Sequence, residues 1–222
     1  MKKRYILAEF LVVFVFLLIP PIFADKGAYF SEEFSFSVLA EFFIAAVLQF
    51  QFKIENKGEK KSASEKFIFL VSSLKWGALT LGFLMLIFAA VHAFSFAFKI
   101  SSAQTEILLK NPENFSSWIF LIFTLAAGAF FEEAVYRQFV PETLNSLLKK
   151  WKIPVEIFSV VIFALAHRYL GWISVFNAAF CGVVLRICRI NTASIAPSFS
   201  APFIYNLSLI VFSVLFSLSS VY

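Results

Sequence analysis

Charge is scarce in this chain. Only 15% of its 222 residues are Asp, Glu, Lys or Arg, whereas 60% are hydrophobic, including 32 phenylalanines. With a mean hydropathy of +0.85, that composition excludes a solvated globular domain and implies a polytopic membrane protein. Cysteine is equally sparse. Cys181 and Cys188 lie in one apolar run, about 10 Å apart if that run is helical, which is too far for a disulfide. Both are expected to be small packing residues. The apolar runs are continuous rather than alternating, which excludes a β-barrel. No internal repeat is present, which weighs against a transporter built from inverted halves. The net charge of +5 is read through membrane topology, and no nucleic-acid partner is expected.

What remains is an all-α bundle of about seven to eight transmembrane helices in a single membrane domain, residues 1–222. Residues 5–24 follow Lys2, Lys3 and Arg4 and read as a first span, or as a signal peptide cut after Ala24. The uncleaved span is favoured, because Ile22 is large for the position three before the cut. Residues 25–33 form a short acidic loop, and 34–54 a second span carrying Glu41, Gln49 and Gln51. Residues 53–75 hold six lysines and three glutamates, a solvated loop leading into a short surface helix. A third span covers 76–98 and a polar loop 99–114, with a helix stop at Asn111-Pro112. The fourth span starts near Phe115, meets Pro141, and continues as a basic amphipathic segment to Lys150. The fifth runs 153–167 and the sixth 172–185. Residues 190–222 have room for one span plus a short or broken helix, with the break at Pro197 or Pro202. Lysine and arginine concentrate in alternate loops, including Arg186 and Arg189. Their bias places the N-terminus in the cytoplasm of what is expected to be a bacterial plasma membrane.

Charges inside a span are costly, roughly 2.5–3.5 kcal/mol each on insertion scales, so Glu132, Glu133 and Arg137 stand out behind the apolar stretch from Trp118 to Ala129. On a helix Glu133 and Arg137 are i,i+4 neighbours and form a structural ion pair. Glu132 points about 100° away and is free to face a cavity. A structural lock between two helices is the competing reading. His167 closes the fifth span and Asn206 lies in the last. Each alone is an ordinary interhelical hydrogen-bond partner. Together with Glu132 they make a carboxylate and an imidazole for acid–base work and an amide that can donate to an oxyanion. These three can meet only if the fourth span continues past Arg137, so Arg137 is expected to be buried and paired. His92 is read as structural, and Glu41 could line the same cavity. No Ser or Cys sits in a nucleophile signature.

These motifs resemble the CPBP family of intramembrane proteases, also called the Abi family, which includes CAAX-prenyl endopeptidases and bacteriocin-processing or immunity-like proteins. The family pattern is Glu-Glu-x-x-x-Arg, then Phe-x-x-x-His, then His-x-x-x-Asn. Here it reads Glu132-Glu133-Ala-Val-Tyr-Arg137, Phe163-Ala-Leu-Ala-His167, and Pro202-Phe-Ile-Tyr-Asn206. The likeness covers a core of about residues 115–210. It implies that Glu132 and His167 activate the attacking water, that Asn206 stabilises the oxyanion, and that Arg137 is the structural partner of Glu133. Pro202 stands where the family has histidine and can donate no hydrogen bond. The expected activity is hydrolysis of a peptide bond in a membrane-associated peptide or protein. The alternative is an inactive member that binds a membrane peptide as an immunity or maturation scaffold. One His and two Glu do not supply three ligands plus water, so no metal and no other cofactor is expected.

Overall fold

Every span is an α-helix in the computed structural model, which describes residues 2–24, 36–55, 63–99 and 114–219. The expected acidic loop, the stop at Asn111-Pro112 and the centre of the lysine-rich loop lie outside those residues. Helix α1 (Lys2–Val13) passes through a π-turn (Phe14–Leu18) into α2 (Ile19–Phe23), which carries Pro20 and Pro21 in its first turn. Then follow α3 (Phe36–Glu55), α4 (Ala63–Ala97) and α5 (Phe115–Glu132), the last capped by the Asn114 side chain accepting from the Ser117 amide at 2.9 Å. A π-helical segment (Glu133–Phe139) leads into α6 (Val140–Leu147). Helix α7 (Lys152–Ala166) turns through a 3-10 segment (Arg168–Leu170) into α8 (Trp172–Thr192), and α9 (Ile195–Ser219) closes the chain. Gly171 takes φ +97° at the α8 entry, a conformation glycine adopts without strain.

Six of these segments are long and apolar enough to cross a membrane, and the protein is an integral membrane protein. The number is below the seven to eight expected for two physical reasons. Helix α7 is about 22 Å long against a hydrocarbon core of about 30 Å. Measured from Lys152, its end at His167 therefore falls within the apolar layer. The last segment is one continuous helix rather than a broken one. Pro197 sits in the first turn of α9, where its missing N–H has no carbonyl to serve, and Pro202 removes only one interior bond. The lysine-rich stretch also differs from expectation: Lys66 and Lys75 already belong to the long α4.

The bundle is arranged inside-out, as lipid requires. On α3, Phe36, Phe43 and Phe50 are exposed at seven-residue spacing, while Ala45 is fully buried and Glu41 and Gln49 are half-buried. One core joins Phe10, Val13 and Leu18 of the N-terminal helix to Ala45, the segment Phe131–Val140, Ile162–Ala166 of α7 and Val175 of α8. A second lies where α4, α8 and α9 pack, around Leu84, Cys181, Leu185, Ala201, Tyr205 and Leu209. Both cysteines are buried and free. The π-helical segment runs through the middle of the first core.

A candidate active site on the π-helical segment

Pro141 explains why the helix changes pitch. It has no N–H to return to the carbonyl of Arg137 four residues earlier. That carbonyl instead accepts a 2.6 Å hydrogen bond from Arg186 Nη1. Arg186 is in turn held by Glu156, Nη2 to Oε1 at 2.7 Å. The irregularity thus lies upstream of the proline, over the Glu-Glu-Arg motif itself, rather than as a kink at Pro141.

The π pitch alters which side chains meet. In an α-helix residues four apart stack; in a π-turn residues five apart do. Arg137 accordingly reaches Glu132, Nη1 to Oε2 at 3.4 Å, and its Nε lies 4.0 Å from Glu133 Oε2. The guanidinium stands between the two carboxylates instead of facing one of them. Arg137 is 2% exposed and lies over the Phe163 ring, 3.9 Å from its centroid.

Glu133 is fully buried. Its Oε1 accepts a 2.6 Å hydrogen bond from Ser198 Oγ on α9, and Arg189 Nε on α8 lies 3.8 Å away. This carboxylate joins four elements: the π-segment, α8 and α9 directly, and α7 through Arg137 and Phe163. Arg186 and Arg189 were not in the sequence-derived set, and Ser198 was not expected to hold this carboxylate. Both arginines read there as cytoplasmic flanking charges, whereas Arg189 is buried and Arg186 is committed to Glu156. The available signal was their i,i+3 spacing inside a helix that continues to Thr192.

Glu132 is different. Its side chain is 29% exposed and His167's is 23% exposed, with Oε1 and Nε2 3.6 Å apart. His167 caps α7, and its Nδ1 lies 2.9 Å from the Phe163 carbonyl. A carbonyl only accepts, so Nδ1 carries a proton, and in the neutral ring Nε2 presents its lone pair toward Glu132. The five-residue unit Phe163–His167 therefore serves twice: the Phe163 carbonyl sets the imidazole tautomer, and its ring carries Arg137. Tyr136 packs edge-on against the same ring, 5.4 Å between centroids.

Asn206 is half-buried on α9 and makes no hydrogen bond to Glu132 or His167. Pro202 is buried one turn before it. His92 stacks on Phe88 within α4, 4.0 Å between centroids. Glu41 on α3 is half-buried and interacts electrostatically with Glu132. Among the described residues no group of three or more His, Cys, Asp or Glu is placed to hold a metal ion.

Gly182 on α8 makes room for this arrangement. A Cβ there would lie 3.0 Å from Phe163 Cδ1. Gly182→Val is expected to displace the Phe163 ring from under Arg137. Overpacking of this kind costs about 1–3 kcal/mol, and a drop in the unfolding midpoint of the purified protein in detergent is the check. An unchanged midpoint would mean that the ring moves freely.

These features define a class: an all-α polytopic membrane protein with a carboxylate–imidazole pair inside the bundle, held by buried ion pairs. Residues 114–208 match the family model Rce1-like, type II CAAX prenyl endopeptidase Rce1-like, a peptidase family of the kind that the three motifs resemble. The match begins at the α5 cap, includes Glu132, Glu133, Arg137, His167 and Asn206, and leaves α1–α4 outside. No curated protein and no solved structure matches the chain.

Proposed function

We propose that the protein is an intramembrane endopeptidase in which Glu132 and His167 activate water to hydrolyse a peptide bond of a membrane-associated peptide or protein. The observation that carries this reading is the pairing of Glu132 Oε1 with His167 Nε2 at 3.6 Å, combined with a tautomer that leaves both atoms as acceptors. A water donating to each has its own lone pair free for a carbonyl carbon. Glu132 takes the proton as the oxygen attacks, and Arg137 Nη1 holds the carboxylate's other oxygen. No covalent acyl-enzyme forms. Arg137, Glu133, Arg189 and Ser198 position Glu132 without touching the substrate. The cavity opens toward the cytoplasm, where the N-terminus also lies, and the membrane is a bacterial plasma membrane. CAAX-type chain ends are the first substrate class to try, from the description of the family that matches.

Asn206 is the oxyanion donor in this scheme, and Pro202 gives it no companion. Losing one such donor costs about 10²–10³ in kcat, so the enzyme is slow. Pro202→His is expected to raise turnover by up to that factor in a reconstituted cleavage assay. No gain from a folded variant would mean that the cavity has turned to another use.

Pro202 also supports a second reading, a binding scaffold that has lost catalysis. Glu132→Gln separates the two, since it keeps the side chain's size and removes the base. An enzyme loses cleavage and retains its substrate; a scaffold keeps its whole function.

A further inference from the structure

We propose that Arg186 is a positioning residue for the reaction: its bond to the Arg137 carbonyl fixes the π pitch that brings Arg137 onto Glu132. This inference rests on the peptidase reading above. Pro141 leaves that carbonyl without an α-helical donor, and a buried carbonyl needs one. The donor comes from another helix, Arg186 Nη1 at 2.6 Å. The rest of the guanidinium is locked in place. Its Nε and Nη2 both bond the Glu156 carboxylate on α7, the second at 2.7 Å. Such a two-pronged arginine–carboxylate pair holds the guanidinium in one orientation. The side chain of Arg186 is 13% exposed and that of Glu156 31%. One guanidinium thus joins α7, α8 and the π-segment.

The bond falls on the backbone of the residue whose side chain serves the site. Arg137 Nη1 lies 3.4 Å from Glu132 Oε2, five residues earlier, a meeting that the π pitch allows. At α pitch Arg137 would stack on Glu133, four residues earlier, and leave Glu132. Glu132 is the partly exposed carboxylate that faces His167 at 3.6 Å. The contacts therefore run without a gap from Glu156 to Arg186, to the Arg137 carbonyl, to the Arg137 guanidinium, to Glu132.

The segment also has room to change pitch. A cavity of about 200 Å³ lies beside it, with Tyr136, Arg137, Phe163 and Arg186 among its walls. Arg137 Nη2 has no hydrogen-bond partner among the described residues. A close-packed wall would resist a new pitch by itself; here a side chain arriving from α8 decides it. Arg186 acts on Glu132 through Arg137, so its loss slows turnover without weakening the binding of substrate. Glu156 is half-buried, so water takes over its carboxylate when Arg186 is removed, and the defect that remains is the stranded carbonyl.

The test compares Arg186→Met, Glu156→Gln and the double variant Pro141→Ala/Arg186→Met with wild type, all full-length in lipid vesicles. The first readout needs no substrate. It is the infrared carboxylate band of Glu132, isolated in each background by subtracting the same protein carrying Glu132→Gln. The band is expected to shift in Arg186→Met, because Arg137 has left Glu132; an unshifted band would overturn the proposal. The second readout is cleavage. Arg186→Met is expected to lose about 100-fold in kcat, the scale of a small misplacement of a reacting group, with KM within about twofold of wild type. Glu156→Gln should lose less, and nothing further when added to Arg186→Met. Full kcat in folded Arg186→Met would overturn the assignment. The double variant separates positioning from stability, because the alanine N–H supplies the missing donor at α pitch. It should recover the unfolding midpoint lost in Arg186→Met while kcat stays low. Recovery of both would make the bond structural only and overturn the proposal. A shifted band with no cleavage even by wild type would instead overturn the peptidase reading and keep Arg186 as the residue that places Arg137.

Discussion

Glu133→Leu is expected to destabilise the protein more than any other single substitution in the bundle. The carboxylate faces Arg137 at 4.0 Å and Arg189 at 3.8 Å and accepts from Ser198 at 2.6 Å, with no exposure of its own. Removing it leaves the buried Arg189 with only the Glu142 charge and Arg137 with only the partly exposed Glu132. Breaking a buried pair from one side costs about 3–5 kcal/mol, a large share of the stability of most domains. Arg137 Nη2 and Arg189 Nη1 already lack hydrogen-bond partners among the described residues, so little remains to absorb the loss. The check is equilibrium unfolding in mixed micelles. Adding Arg189→Leu should restore part of the stability, because the second substitution removes the orphaned charge. A Glu133→Leu protein as stable as wild type would show that the carboxylate is not the hub of this network.

The second large effect concerns activity without stability. His167→Asn keeps an N–H where Nδ1 stands, and so keeps the bond to the Phe163 carbonyl, but has nothing at the position of Nε2. Its stability should match wild type, whereas peptide cleavage falls by about 10²–10⁴, the usual contribution of acid–base catalysis. His167→Gln has the opposite design: it reaches the Nε2 position and loses the Phe163 contact. It should be less stable and equally slow. Cleavage rates and unfolding midpoints of the pair separate the imidazole's chemistry from its anchoring. A His167→Asn enzyme with full turnover would remove the imidazole from the mechanism.

The membrane class and the all-α fold were legible because they depend on composition and on long apolar runs, which lipid leaves little freedom to reinterpret. Three charges in one span, with one histidine in a later span, pointed to the segment where Glu132, Glu133, Arg137 and His167 meet. The pitch of that segment was not legible. An i,i+4 reading pairs Glu133 with Arg137 and sends Glu132 elsewhere, whereas the π-turn places Arg137 between both. Pro141 carried the clue, since it strands the Arg137 carbonyl, but its consequence depends on Arg186 arriving from 49 residues away. Arg189 and Ser198 were hidden for a related reason. An arginine near a helix end and a serine in an apolar run look ordinary until tertiary packing buries them against one carboxylate. The unbroken α9 shows the same limit: the sequence pattern weights proline as a breaker, and neighbouring helices outweigh it.

The most direct test of the central claim compares peptide termini in membranes of cells carrying wild-type protein with those carrying Glu132→Gln at matched abundance. The account predicts a set of new chain ends present with wild type and absent with Glu132→Gln, and their sequences would define the substrate class. Identical termini in the two membranes would contradict catalysis at Glu132.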